Sequence, residues 1–178
     1  AAGVCAFAAG CAHLALHDPH RQYLTPAQRL EAIRRARVWA PTDIPAVDIR
    51  RGPLRRDGFA PGATVSCDYR DDKLGGNTPK FACALAPDDV VKVKYGRRNG
   101  EVYTGVAATR LLWALGFGAD AIYPVNVICR GCPKRMAETD SFVQANAVRI
   151  EFATIERKMP GREMQSRVET GWTWTELD

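Results

Sequence analysis

Hydrophobic and polar residues alternate along several short stretches in the second third of the chain. The alternation predicts strands at residues 63–70, 79–86 and 89–95, with Gly75 and Gly76 in the first turn and Asn77 beside them. A fourth strand is expected in "AIYPVNVICRGCP", residues 121–133. A fifth is expected in "NAVRIEFATIERKM", residues 146–159, where Val148, Ile150 and Phe152 mark its apolar face.

Two stretches carry helix signals. Thr25 is suited to cap a helix that has Pro26 at its first position and that Pro41 ends. A second helix is predicted at 100–115, with Asn99 as its N-cap and Gly116 at its end. Because it is apolar almost all round, this second helix is expected to be buried. Prolines and glycines fill residues 40–62, which reads as a linker or long loop.

The element order predicts an α+β fold. It is a mainly antiparallel five-stranded sheet with one buried helix against it, preceded by an N-terminal helix. Residues 1–20 are interpreted as a leader, 21–62 as the first helix and its linker, and 63–178 as the domain. A helix that starts at Thr175 would stop in mid-element, so the domain is expected to be incomplete at its C-terminus.

Composition narrows the classes of function. The 178 residues are 46% hydrophobic and 25% charged, which is typical of a globular protein, and the net charge is +5. Lysines and arginines are spread along the chain with no basic tract interleaved with aromatics, which disfavours nucleic acid as a partner. No apolar run reaches the length of a membrane span.

The first sixteen residues, "AAGVCAFAAGCAHLAL", resemble the end of a secretory signal whose basic start is missing. "AAGC" is similar to a bacterial lipoprotein cleavage site, where Cys11 would be lipidated and anchor the protein to a membrane. Ordinary small-x-small cleavage sites and a short buried helix are the alternatives. The interpretation is an exported protein, periplasmic or anchored as a lipoprotein.

Four cysteines remain beyond the leader, and an even number in an exported protein favours disulfides. In a hairpin centred on Gly75, opposed residue numbers sum to 150, so Cys67 and Cys83 would face each other and could bond. Cys129 and Cys132 are expected to close a tight turn as a second disulfide. A zinc site built by all four cysteines and a redox pair at Cys129 and Cys132 stay open as alternatives.

Two lysines stand in the third predicted strand, "DVVKVKY". Lys92 and Lys94 are two residues apart and share one face. The ordinary interpretation is the solvated side of a half-exposed strand. Glu101, in the first turn of the next helix, would then be an acid favoured by the helix dipole.

The chain from about residue 38 to 178 resembles a family of uncharacterised exported bacterial proteins with a protein-kinase-like fold. The matching segments are "VWAPTDI", "GNTPKFACAL", "VKVKYG", "EVYTGVAATRLLWALGF", "YPVNVICRGCP" and "GWTWTEL". The helix is also similar to that of the secretory-pathway kinases, although Gly105 stands where those carry a glutamate. Glu101 lies one turn earlier on the same face.

The resemblance implies the small lobe of a kinase, which binds ATP with Mg²⁺. Lys92 or Lys94 would contact the phosphates and Glu101 would orient that lysine. The turn that includes Gly75, Gly76, Asn77 and Lys80 would cover the nucleotide. The Mg²⁺ ligands would belong to a missing C-terminal lobe, so this chain alone would not transfer phosphate. The alternative function is a non-catalytic binding or interaction module of the cell envelope, stapled by the disulfides.

Overall fold

The computed structural model describes residues 22–133, 136, 143–144, 146–160 and 164–165. The chain divides into two compact units, one of residues 37–160 and one that joins residues 1–36 to residues 161–178. Cys11, the leader and the helix predicted from Thr175 lie outside the described residues. The expectations attached to them stay predictions.

The unit made from the two chain ends contains one described helix, α1, Pro26–Arg34. Its strands β1, Gln22–Tyr23, and β8, Met164–Gln165, pair in parallel. Thr25 caps α1 as predicted, because its hydroxyl accepts a hydrogen bond from the backbone amide of Gln28. The prediction that Pro41 ends α1 is wrong. The amide of Ala36 bonds to the carbonyl of Ile33, and this tightened turn ends the helix six residues earlier than expected.

Five strands of the second unit form a barrel. They are β2 Ala63–Arg70, β3 Lys80–Ala86, β4 Asp89–Tyr95, β5 Ala121–Arg130 and β7 Ala147–Arg157. A two-residue strand, β6 Val143–Gln144, pairs with the start of β7. The strands lie side by side in the order β4-β3-β2-β5-β7, and β7 also pairs with β4. The five strand predictions are therefore confirmed in position, to within a few residues at the ends.

The predicted architecture, a five-stranded sheet of the kinase small-lobe kind with one buried helix, is wrong. The sheet is closed. β2 and β5 pair in parallel from Ala63 with Val125 to Asp68 with Arg130, and β4 pairs antiparallel with β7. Closure gives every one of the five strands a neighbour on both sides, which removes the unpaired edges that an open sheet would present.

The barrel interior is filled by apolar side chains from all five strands. Phe81, Val93, Tyr123, Val127 and Ile155 are buried there together with the cysteines. Tyr123 donates a hydrogen bond from its hydroxyl to the carbonyl of Pro53, 3.2 Å away, so its polar end is satisfied.

A bulge changes the inward face of β7 partway along the strand. Val125 pairs with Ala153 and Val127 pairs with Ile150, so two residues of β7 oppose one residue of β5. Beyond the bulge Ala153 and Ile155 point inward, while Phe152 is only half-buried. The strict alternation predicted from Val148 to Phe152 fails at this point.

Helix α2, Gly100–Ala114, connects β4 to β5 and has the predicted N-cap and end. Asn99 accepts a hydrogen bond from the amide of Glu101, and Gly116 takes the left-handed conformation at φ +85°. The prediction that α2 is buried is wrong. The helix lies on the outside of the barrel, and Leu111 and Leu112 stay 52% and 41% exposed.

Residues 37–62, here called the strap, contact the C-terminal half of α2 in their first half and reach β5 at their end, where the amide of Gly62 donates to the carbonyl of Pro124. Trp39 donates from its indole nitrogen to the carbonyl of Leu115 at 2.6 Å, and Thr42 donates from its hydroxyl to the carbonyl of Ala114 at 2.5 Å. These contacts satisfy carbonyls that a helix end leaves free. Arg110 is buried and donates to the carbonyls of Ile49 and Arg50. Within the described part of the chain, no helix combines the length and apolar character needed to cross a membrane.

The β2–β3 hairpin has a different register from the predicted one. Tyr69 lies opposite Cys83, so opposed residue numbers sum to 152 instead of 150. The turn is a long loop, 71–79, and not a tight turn centred on Gly75. Cys67 and Cys83 are nevertheless bonded, with their Cα atoms 5.6 Å apart. A shift of two residues keeps both side chains on the inner face, which is why the pairing survives the wrong register.

Candidate functional site

Three lysines share the outer surface of β3 and β4. Lys94 lies directly opposite Lys80 in the β3–β4 ladder, and Lys92 lies opposite Ala82. We call Lys80, Lys92 and Lys94 the lysine face. Like charges directly opposite each other on neighbouring strands are destabilising unless another group compensates them. The surroundings of these lysines therefore decide what the face can bind.

Glu101 compensates Lys94. The Nζ atom of Lys94 lies 3.0 Å from Oε2 of Glu101, and the hydroxyl of Thr78 donates to the same oxygen at 3.0 Å. Asn99 fixes this geometry, because it caps α2 and also donates from Nδ2 to the carbonyl of Tyr95 at 3.0 Å. The end of β4 and the first turn of α2 are thus tied together, which carries Glu101 over the lysine face.

The neighbours of Glu101 lower the pKa of its carboxyl. The hydrogen bond from Lys94, followed by the one from Thr78, holds the pKa of Glu101 below its ordinary value of 4.5, and the charge of Lys80 adds to the effect. Glu101 is therefore ionised at neutral pH and available to orient Lys94.

Glu156 compensates Lys92, and the sequence did not single it out. Its Oε1 atom lies 2.5 Å from Nζ of Lys92, and its Oε2 atom lies 3.9 Å from Nζ of Lys94. The side chain of Glu156 is only 9% exposed. The β7 bulge turns Glu156 toward the lysine face. Because no feature of the sequence predicts that bulge, the ion pair between Lys92 and Glu156 could not be predicted from the sequence.

Thr154 is a second residue that the sequence did not single out. It is the register partner of Lys94 on β7, it is 1% exposed, and its hydroxyl has no hydrogen-bond partner. A buried hydroxyl without a partner is costly, and such groups often mark a place where a water or a ligand binds. This hydroxyl lies on the same face as Lys92 and Lys94.

The glycine turn lies next to the lysine face. Gly76 has φ +86°, and a Cβ atom there would come within 2.8 Å of Nζ of Lys80. Nζ of Lys80 also lies 3.4 Å from the hydroxyl of Thr78. Gly75 lines a cavity on this side of the barrel, and Asn77 is exposed in the turn. The structure therefore brings the turn residues and the lysines to one side of the barrel.

A cavity of about 530 Å³ opens on this side, between the 71–79 loop, β4 and the end of β7. Its apolar wall is formed by Leu74, Ala82, Val90 and Val91, and Lys92 and Glu156 stand at its charged side. This size falls within the range typical of pockets for small ligands. Lys94 does not line the cavity and lies two residues farther along β4, about 7 Å away at the rise of a strand.

A larger cavity, about 640 Å³, lies between the strap and the C-terminal end of α2. Trp113, Phe117 and Met159 form its apolar wall. None of the residues predicted as functional lines it. Of the residues predicted as functional, Gly75 and Lys92 line the smaller cavity.

All four described cysteines are paired. Cys67 bonds Cys83 and Cys129 bonds Cys132, as predicted, with Cα atoms 5.6 and 5.7 Å apart. Disulfide sulfurs are not thiolates, so these cysteines are not available as zinc ligands. Among the described residues, no group of three or more histidines, cysteines or carboxylates is arranged to hold a metal ion.

No family model, curated protein or solved structure matches this chain, so the resemblance to kinase-like exported proteins stays a prediction.

Proposed function

We propose that the barrel is a nucleotide-binding module, which holds the phosphates of a nucleoside triphosphate at the lysine face and its base in the adjoining cavity. The observation that carries the proposal is the 3.0 Å ion pair between Lys94 and Glu101, made across two elements beside a cavity of ligand size. In protein kinases, a glutamate on the neighbouring helix orients in this way the lysine that contacts the phosphates.

The charges of the site favour an anion. On the lysine face, Lys80, Lys92 and Lys94 face two glutamates, which leaves one positive charge in excess. The cavity beside this face is lined by three cations and three carboxylates, so the excess lies at the lysine face and not in the cavity. Lys80 is paired only with the neutral hydroxyl of Thr78 among the contacts described above. A phosphate would offset the repulsion between Lys80 and Lys94.

The cavity offers a separate place for the base. Ala82, Val90 and Val91 give it an apolar surface that suits a planar ring, and Gly75 on the loop opposite leaves room for close approach. The base would lie at the Lys92 end of the site and the phosphates would extend along β4 toward Lys94.

We further propose, on the resemblance, that the chain acts as part of a longer exported protein. ATP would be accompanied by Mg²⁺, and because no group of three or more histidines, cysteines or carboxylates among the described residues is arranged to hold a metal ion, phosphate transfer would need a further part of the protein. The two disulfides support an oxidising compartment, which the periplasm provides. Membrane anchoring through Cys11 belongs to the same proposal.

Titration of the protein with ATP and with adenosine tests the site. We expect ATP to bind more tightly than adenosine, because the lysines contact only the phosphates. Lys94→Ala removes a charged hydrogen bond worth about 1.5–3 kcal/mol and should weaken ATP about tenfold to a hundredfold with little effect on adenosine. Glu101→Gln should weaken ATP less, because the lysine remains but loses its orientation.

Arg130→Ala is the matched control, since it removes a cation of the same barrel that pairs with Asp68 at 2.7 Å and lies outside the lysine face. It should leave ATP affinity unchanged. Equal weakening by Arg130→Ala and Lys94→Ala would show that ATP responds to net charge alone. Tighter ATP binding by Glu101→Gln would show that Glu101 competes with the ligand and does not orient Lys94.

A non-catalytic interaction module stapled by disulfides is the second candidate. It is favoured by one observation, that Lys92 and Lys94 already have carboxylate partners at 2.5 and 3.0 Å, so the face is largely neutralised without any ligand. The same titration separates the two functions. If the folded protein bound none of ATP, ADP and adenosine, the nucleotide-binding proposal would fail and the interaction module would be the function that the structure favours.

A further inference from the structure

The two disulfides lie against each other inside the barrel. The Sγ atom of Cys83 is 4.0 Å from the Sγ atom of Cys129, close to van der Waals contact, although each belongs to a different disulfide. The parallel register of β2 and β5 sets Cys67 beside Cys129, and the disulfide to Cys67 holds Cys83 within reach. Barrel closure, which pairs β2 with β5, therefore brings the four sulfurs together.

The two disulfides differ in their access to solvent. Cys67, Cys83 and Cys129 are completely buried, whereas Cys132 is 9% exposed and follows the exposed residues Arg130 and Gly131. An external thiol can therefore reach the second disulfide at Cys132 more readily than it can reach the first. Thiol–disulfide exchange needs such access to one sulfur and a thiolate that can contact the next disulfide.

We propose that the four cysteines form a disulfide relay, in which the Cys129–Cys132 pair passes electrons between an external dithiol and the buried Cys67–Cys83 disulfide. The proposal is independent of nucleotide binding, because it uses only the barrel interior and the turn at residues 130–132. Its substrate class is a dithiol reductant in solution or on another protein.

The steps balance as ordinary exchange. An external dithiol attacks Sγ of Cys132, the less deeply buried end of the Cys129–Cys132 disulfide, and leaves as its own disulfide, which gives Cys129 and Cys132 as thiols. The Cys129 thiolate then attacks Sγ of Cys83, the Cys67–Cys83 bond breaks, and Cys67 leaves as a thiolate that takes up a proton. The Cys132 thiolate next attacks Sγ of Cys129, which re-forms Cys129–Cys132 and releases Cys83. The net result is two electrons and two protons moved from the dithiol to Cys67 and Cys83.

The variant Cys132→Ser tests the central step without any reductant. It leaves Cys129 as a thiol beside the Cys67–Cys83 disulfide, and exchange should produce the new disulfide Cys83–Cys129 in amounts comparable to the original. The four cysteines lie on four different tryptic peptides, 57–70, 81–92, 111–130 and 131–134, so each pairing is identified by mass. Thiols are trapped with an alkylating agent in acid and denaturant, and the protein is digested without reduction.

The result expected is a linked pair of peptides 81–92 and 111–130, with Cys67 alkylated. In Cys67→Ser the free thiol is Cys83, which should attack Cys129 and give the same linked pair of peptides, with Cys132 alkylated. This variant provides the test if Cys132→Ser does not fold. Unfolded Cys132→Ser is the control, since random exchange there also links peptides 57–70 and 111–130. Complete alkylation of Cys129 in the folded variant, or equal amounts of both linked pairs, would overturn the relay.

Reduction kinetics test the coupling to an external dithiol. In the unmodified protein, dithiothreitol should reduce Cys67–Cys83 through Cys129 and Cys132. In the double variant Cys129→Ser with Cys132→Ser, reduction of Cys67–Cys83 must await opening of the barrel and should be at least about tenfold slower. Equal rates in the two proteins, both shown folded by circular dichroism, would mean that the buried disulfide is reduced directly.

Discussion

At the scale of single residues, the charge of Glu101 should persist into more acidic solution than that of a free glutamate. Lys94 and then Thr78 lower its pKa in the folded protein below 4.5. A lowered pKa means that the pair stabilises the fold above the ordinary carboxyl pKa and that this contribution is lost as the pH falls through the folded pKa. NMR titration of the side-chain carboxyl measures the midpoint directly. Lys94→Ala should raise it, whereas an unchanged midpoint would contradict the ion pair.

Gly105 shows why a residue that breaks a resemblance can still be required. A Cβ atom at this position would lie 3.1 Å from Cδ1 of Ile122, because α2 packs closely on β5 there. We expect Gly105→Glu to lower the free energy of unfolding by about 1–3 kcal/mol through overpacking. Ala108→Glu, at an exposed position of the same helix, is the control and should change it by less than about 0.5 kcal/mol. Equal urea midpoints for the two variants would contradict the close packing.

At the scale of the elements, Arg110 fastens the strap to α2. Its guanidinium is buried and donates to the carbonyls of Ile49 and Arg50. Arg110→Ala removes both bonds, so trypsin should cleave after Arg50 and Arg51 at least about tenfold faster. Arg149→Ala, which removes an exposed arginine of β7, should leave the cleavage rate unchanged. Timed digestion followed by mass spectrometry gives both rates, and equal rates would mean that Arg110 does not hold the strap.

At the scale of the whole molecule, the two disulfides should contribute unequally to stability. Cys67–Cys83 closes a loop with a sequence separation of 16, and Cys129–Cys132 closes one of 3. If loop entropy dominates, replacing both cysteines of a pair by alanine should cost about 3 kcal/mol for the longer loop and about 2 kcal/mol for the shorter. Urea unfolding under non-reducing conditions measures both losses. A larger loss for the short loop would show that packing of the sulfurs outweighs the loop term.

In residues 63–133, local sequence patterns predicted the ends of the helix but not all of the residues that meet at the site. Asn99 and Gly116 marked the ends of α2, because capping depends on residues adjacent in sequence. The partnership of Glu101 with Lys92 or Lys94 was predicted from the resemblance to kinases, and the structure places Lys94 3.0 Å from Glu101 across the turn that Asn99 caps. Glu156 and Thr154 were missed, because a bulge in a distant pair of strands determines which way they face.

The sequence by itself determined the positions of the strands along the chain and the bounds of α2, because periodicity and capping are local properties. It also predicted both cysteine pairings, although the register assumed for Cys67 and Cys83 was wrong and a zinc site and a redox pair stayed open as alternatives. Only the tertiary structure decided that β2 and β5 pair and close the barrel, that α2 lies outside it, and that Lys80, Lys94 and Thr154 meet on one face. Strand closure depends on the summed twist and register of five strands, which no single stretch of sequence encodes.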